Sequence, residues 1–223
     1  MAVDLIVPLK RPSLGKSRLR GVFADTDCEY SHTDLVLALA FDTLSAATAA
    51  AGVGRVLVVG SDPAALDRLR ELDVEVVDEH GLDVPSDDDG PHDSLNAALR
   101  AGERLLRADD PNAVIGALQA DLPALRPREL TEAISEADGQ RAFVADRHGT
   151  GTTLLLAPPG ERLRPRFGTD SAYAHALSGA KPLTAALPSL RSDVDTPEDL
   201  DHARLLGLGD RTRTVLDRTC LLS

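Results

Sequence analysis

Three stretches of the chain carry residue types suited to phosphate or to a divalent cation, and each follows or closes on an apolar run of strand character. After Leu5 to Leu9 come Lys10, Arg11, Lys16, Arg18 and Arg20, with no acid among them and with Gly15 beside Lys16. Glycine lets backbone approach a phosphate and lysine brings a point charge, although an exposed basic loop would look the same. The spacing is neither GxxxxGK[ST] nor GxGxxG, so a P-loop hydrolase and an NAD dehydrogenase lose their main support. After Ala113 to Leu118 comes Gln119-Ala120-Asp121-Leu122-Pro123. A carboxylate ending a buried run is costly without water, a donor or a cation, which makes Asp121 a candidate metal ligand. Its alternative role, capping a helix after Pro127, lies too far downstream. The third stretch is Ser192-Asp193-Val194-Asp195-Thr196-Pro197. In extended backbone Asp193 and Asp195 share a face and could approach one hard cation together; otherwise Asp195 bonds the following turn and Asp193 alone binds metal.

Two further segments have little apolar reason to exist: Asp146 to Thr153, and Arg164 to Ser171. Their glycines, threonines and serine suit a small anion, and suit equally a Gly-Thr hairpin followed by a serine helix cap. His148 and His175 have no paired base or nucleophile in the sequence and receive no catalytic role. Asp87-Asp88-Asp89, between turn formers, reads as a solvated acidic loop rather than a metal site.

Strands are expected at Leu5–Leu9, Arg55–Val59, Val74–Val77, Ala113–Leu118, Ala142–Ala145 and Thr153–Ala157, and helices at Asp34–Ala51, Ala64–Leu72, Ser94–Leu106, Arg128–Ala137, Ala172–Ser178 and Pro197–Leu206. Their alternation predicts an α/β fold, a single-domain three-layer α/β/α sandwich on a mainly parallel sheet, whose ligand site lies beyond the carboxyl ends of the strands. Asp62 before Pro63 and Thr196 before Pro197 read as helix caps. Beyond Gly207 the pattern weakens, and about 208–223 reads as a poorly ordered tail.

With 223 residues and 43% hydrophobic content, the chain can bury one substantial core. A net charge of −12 repels polyanions and argues against nucleic acid as a partner. No run approaches the roughly 20 apolar residues of a membrane span, and Asp4 sits where a signal peptide would be basic, so a cytoplasmic protein is expected. Cys28 and Cys220 have neither zinc nor redox spacing and are read as free thiols.

VPLK with GKSRL, Ser94-Leu95-Asn96-Ala97-Ala98-Leu99, ADLPAL at Ala120 to Leu125, DRHGTGTTLL at Asp146 to Leu155, RFGTDS at Arg166 to Ser171 and SDVDTPEDL at Ser192 to Leu200 together resemble one family over nearly the whole chain. It is the CofC/FbiD guanylyltransferases of coenzyme F-420 biosynthesis, relatives of the MobA-like nucleotidyltransferases; Ala120 replaces the usual glycine of GDLP. The resemblance implies a Rossmann-like fold and transfer of GMP from GTP to a phosphorylated three-carbon acid, phosphoenolpyruvate before 2-phospho-L-lactate or 3-phosphoglycerate. It implies Mg2+ on Asp121 and Asp193, with Asp195 as a further candidate. The acid would meet Thr152, Gly168 and Ser171, and the nucleotide Lys10, Lys16, Arg18 and Asn96. Lys16, Asp121 and Asp193 are the implied catalytic set. Handover of a labile product to the downstream F-420 transferase is an expected partnership, and a homodimer is compatible with the sequence. Transfer to molybdopterin fits less well, because VPLKRPSLGKSRL is poor in glycine; a non-catalytic nucleotide-binding module is the remaining alternative.

Overall fold

The computed structural model describes residues 2–11, 16, 18–19, 31–82 and 94–220. Gly15, Cys28 and the Asp87–Asp89 run lie outside them. The strands are β1 (Val3–Leu9), β2 (Val53–Gly60), β3 (Glu75–Asp78), β4 (Val114–Leu118), β5 (Ala142–Ala145), β6 (Thr152–Ala157) and the two-residue β7 (Lys181–Pro182). The helices are α1 (His32–Thr48), α2 (Pro63–Leu69), α3 (Ser94–Asp109), α4 (Pro127–Ala137), α5 (Ser171–Leu177), α6 (Pro197–Leu206) and α7 (Asp210–Cys220). Boundaries fall within about three residues of those expected from sequence, as frayed ends allow.

The strands form one sheet in the order β3-β2-β1-β4-β6-β5-β7. Only β6 runs against the rest, pairing antiparallel with both β4 and β5. Side chains alternate between the faces: Leu5, Val7, Val56 and Val58 pack with α1, α2 and α4, while Ile6, Leu57 and Val59 pack with α3 and the start of α5. This period of two under helices on both faces produces the three layers.

Helix α1 is apolar nearly all round because it is covered twice. Leu37, Phe41 and Leu44 face the sheet, whereas Leu35, Ala38 and Leu39 join Val194, Leu200, Ala203, Val215 and Leu216 in a third cluster beneath α6 and α7. Burying Val215 and Leu216 stabilises the C-terminal segment by roughly 1.5–3 kcal/mol each. This corrects the expectation of a poorly ordered tail from about 208. The apolar signal is sparse there, and docking depends on polar partners supplied from afar. Asp42 Oδ1 accepts from Arg211 N–H at 3.1 Å and Oδ2 from Thr212 N–H at 2.8 Å, so a residue of α1 caps α7. The approach requires Gly209, where a Cβ would fall 2.2 Å from Asp42 Cγ. Arg211 lies 4.7 Å over the Phe41 ring.

Helix α6 starts with a capping box: Thr196 Oγ1 accepts from Asp199 N–H at 3.2 Å, and Asp199 Oδ2 accepts from Thr196 N–H at 2.9 Å. The other oxygen of Asp199 pairs with Arg147 at 2.5 Å, tying α6 to the β5–β6 turn. Burial raises the Asp199 pKa, but hydrogen bonds from Arg147, from the Thr196 side chain and from the backbone of Asp195 and Thr196 outweigh it and bring it from 3.8 to about 2.

Asp42→Ala leaves two helix N–H groups without acceptors and should cost about 1–3 kcal/mol in denaturant unfolding, with faster amide exchange in α7. Asp199 has a folded pKa below its unfolded one. Its contribution is therefore complete above about pH 4 and lost as pH falls toward 2, by roughly 2 kcal/mol. Acid unfolding of Asp199→Asn should lack that component; an unchanged acid limb would contradict the assignment.

Candidate active site

The carboxyl ends of β1 and β4 open into a cleft of about 730 Å³. Its floor is Pro8, Leu9, Lys10, Gln119, Ala120 and Asp121. Asp121 reaches it because the chain turns sharply after β4. Leu122 N–H donates to Thr43 Oγ1 at 2.8 Å, and the Asp121 carbonyl accepts from Val194 N–H at 3.0 Å. The second bond staples the 193–195 segment beside the end of β4. Val194 is fully buried in the third cluster, and its neighbours Asp193 and Asp195 both line the cleft, as the shared face of an extended segment requires. Asp195 does not bond the following turn, a role that Asp199 fills. Asp121 does not cap α4, whose N-cap position is Arg126 and carries no side-chain cap bond.

Lys16 stands among these acids. Its ammonium pairs with Asp121 and, at 2.5 Å, with Asp195. Its backbone is left-handed, φ 53°, a conformation that costs a non-glycine residue about 1–2 kcal/mol. Burial lowers the lysine pKa, but the two carboxylates outweigh it and hold the group above the ordinary lysine range, so it stays charged. Asp193 is displaced the other way. Burial first, then repulsion from Asp121 and Asp195, lifts it well above the usual carboxylate range.

Among the described residues no three His, Cys, Asp or Glu side chains already form a metal cage. The donor chemistry nevertheless fits a hard cation. Among the described residues Asp121 Oδ1 is buried without a hydrogen-bond partner, and the Asp121–Asp193–Asp195 carboxylates gather around Lys16. That excess of negative charge and the spare oxygen are what a divalent cation relieves.

The opposite wall is the β5–β6 hairpin with the start of α5. Asp146 closes the hairpin, its two oxygens accepting from Thr150 N–H at 2.9 Å and Gly151 N–H at 2.8 Å. Ala172 N–H donates to the Thr150 carbonyl at 3.0 Å, bringing α5 alongside. Thr150, Thr152, Gly168 and Ser171 all line the cleft. The hairpin and the anion-suited wall, alternatives from sequence, are therefore the same structure. Ser171 is the first residue of α5 rather than its cap; the cap position belongs to Asp170 at φ 54°.

A smaller compartment of about 310 Å³ shares Pro8, Leu9, Lys10 and Leu95 with the cleft and adds Arg11, Ser61, Glu79 and His80. Lys10 thus borders both spaces, and Arg18 lines the larger one. Asn96 is a correction. It is fully buried, and its amide clasps the Phe167 backbone, accepting from N–H and donating to the carbonyl, each at 2.9 Å. Neither compartment is lined by it, because Leu95 and Ala98 occupy the cleft-facing side of α3. Sequence reading did not single out Asp146 or the second compartment. Asp146 lies within the DRHGTGTTLL motif, whereas Ser61 precedes the cap of α2 and Glu79 opens a short 3-10 turn, neither with a sequence signal for a compartment.

The model of the MobA-like NTP transferase domain matches residues 31–193. A phosphoenolpyruvate guanylyltransferase of Mycobacterium sp. (strain KMS) is 48% identical over 94% of this chain and 89% of its own length. The protein of that name from Streptomyces scabiei (strain 87.22) is 46% identical over 98% and 97%. Among solved structures, 4-diphosphocytidyl-2C-methyl-D-erythritol synthase superposes with a TM-score of 0.59 at 16% identity, covering 92% of this chain and 97% of that one, a likeness of fold alone. With a nucleotidyltransferase sheet, an acid cluster beyond its carboxyl edge and relatives at this identity over nearly their full lengths, the chain belongs to the MobA-like nucleotidyltransferases and, within them, to the phosphoenolpyruvate guanylyltransferase family.

Proposed function

We propose that this nucleotidyltransferase transfers GMP from GTP to phosphoenolpyruvate, releasing pyrophosphate and forming enolpyruvyl-diphospho-guanosine, a precursor in coenzyme F-420 biosynthesis that passes to a downstream transferase. The observation that carries the reading is the junction of two compartments at Lys10, the larger of which holds Lys16 and the Asp121–Asp193–Asp195 cluster facing a wall of small hydroxyl and glycine residues. The smaller compartment takes the guanosine. The triphosphate runs past Lys10 and Arg18 toward Lys16, and the acid rests against Thr152, Gly168 and Ser171.

A phosphate oxygen of the acceptor attacks the α-phosphorus of GTP in line. The bond from that phosphorus to the bridging oxygen breaks, and pyrophosphate leaves with its electron pair. The nucleophile is already an anion, so no general base is required. The barrier lies in gathering several anions, and positioning plus charge neutralisation lower it. Lys16, fixed in its charged form, stabilises the charge that grows on the phosphates. Mg2+ held by Asp121 and Asp193, with Asp195 beside them, would neutralise the α-phosphate and the departing pyrophosphate. Asp146 shapes the hairpin, and Asn96 holds the backbone of Phe167.

Pyrophosphate release should be measured with GTP, Mg2+ and each of phosphoenolpyruvate, 2-phospho-L-lactate and 3-phosphoglycerate, with the downstream transferase drawing off product. Turnover is expected with phosphoenolpyruvate. Preference for another acid would replace the acceptor, and silence with all three in folded protein would overturn the reaction. Asp121→Asn should lose on the order of 10²–10³-fold or more in kcat while unfolding at an unchanged denaturant midpoint. Retention of most activity would remove Asp121 from the chemistry. Chelation should abolish turnover, and added Mg2+ should restore it.

A further inference from the structure

His175 lies in α5, fully buried, with the Phe167 ring edge-on at 5.2 Å between centroids and Phe143 at 6.0 Å. Both ring nitrogens are engaged. Nε2 is 2.9 Å from the backbone nitrogen of Arg166, and Nδ1 is 2.9 Å from Thr152 Oγ1. A backbone N–H can only donate, so Nε2 must be a bare acceptor. The proton of the neutral ring then sits on Nδ1 and is donated to the threonine oxygen. Burial, with Arg141 and Arg166 nearby, lowers the His175 pKa to about 4, which agrees with a neutral ring.

The consequence falls on Thr152. Its hydroxyl can donate once, and an oxygen already accepting from the imidazole turns that single O–H elsewhere. Among the described residues the hydroxyl has no second partner. Thr152 is nearly buried but lines the cleft, so the remaining direction is toward an anion bound there. The other ring nitrogen holds Arg166, next to Phe167, whose N–H and carbonyl are clasped by Asn96. The backbone thus arrives fixed at Gly168, which has φ 127° and open space where a Cβ would stand. One imidazole therefore spans both halves of the anion-facing wall, the start of β6 and the 166–171 loop.

We propose that His175 is a positioning residue for the phosphorylated acceptor: by donating from Nδ1 to Thr152 it fixes that hydroxyl as a donor into the cleft, and by accepting at Nε2 it sets the distance between Thr152 and Gly168. The role rests on the reading of this wall as the acceptor site. It differs from catalysis, since the ring touches no reacting atom, and from simple core packing, since packing requires no particular tautomer.

Two measurements test it. In wild-type protein, long-range 1H–15N spectra should show His175 as the Nδ1–H tautomer, unchanged from about pH 8 to pH 5 given its low pKa; an Nε2–H ring, or protonation near the ordinary histidine value, overturns the proposal without any variant. In kinetics, His175→Gln keeps an oxygen acceptor for Arg166 N–H but, with a methylene chain in place of the near side of the ring, has no donor at the Nδ1 position facing Thr152. It should raise the acceptor KM about tenfold, the scale of one hydrogen bond to a charged group, and leave the GTP KM unchanged. In a Thr152→Val background the same substitution should add no more than about twofold, because its effect travels through the hydroxyl. Additive losses, or equal losses for GTP, would make His175 merely structural and overturn the proposal. If wild-type protein turns over none of the three acids, the acceptor reading has failed, and the tautomer still decides the hydrogen-bond assignment.

Discussion

The backbone bond from Val194 N–H to the Asp121 carbonyl is the constraint on which the site depends. It joins two segments more than seventy residues apart and sets Asp121, Asp193 and Asp195 around one cluster. Carboxylates do not gather without compensation, and the lifted pKa of Asp193 records the cost. The compensation comes from outside the site: Val194 is buried with Leu200, Ala203, Val215 and Leu216 against the outer side of α1, and Asp199 and Arg147 lock the segment to the hairpin. The third cluster beneath α6 and α7 is thus the mechanical support of the acids, and Lys16 relieves part of their charge.

The two walls are built by different means. The side with Lys10 and Asp121 follows from the parallel strands, whose carboxyl ends deliver both residues directly, in keeping with open α/β sheets generally. The opposite wall is assembled from side chains that bond backbone: Asp146 to Thr150 and Gly151, Asn96 to Phe167, His175 to Arg166. Buried polar groups of this kind are costly if unpaired and rigid if satisfied, which suits a wall that must hold a small ligand in one pose.

Legibility in the sequence followed range. Strands with alternating or continuous apolar character were readable because the signal is local, as were the capped starts of α2 and α6. The place of Asp121 at the cleft was readable because an acid after a buried run has few reasons to be there, and that of the Asp193–Asp195 pair because their alternation puts both on one face. Helix α7 was not, because its cap is Asp42, some 170 residues earlier. The burial of Asn96 was hidden because the amide answers to Phe167, 71 positions away, and motif position alone cannot tell a ligand contact from a clasp. The pairing of His175 with Thr152 carries no spacing signal either, being 23 residues long and made only when β6 runs backward beside β5.

That reversal has a wider meaning. Because β6 alone opposes its neighbours, it presents its beginning, not its end, at the edge where the other strands finish. A strand's beginning is fed by a short turn, whereas the end of a parallel strand must launch a crossover. The wall built on it therefore hangs on a hairpin and a two-turn helix that can lengthen, shorten or change composition without altering strand order. Such an arrangement separates the strand scaffold from one wall of the cleft, and it offers a route by which one scaffold could acquire new small-molecule partners while the rest of the cleft stayed the same.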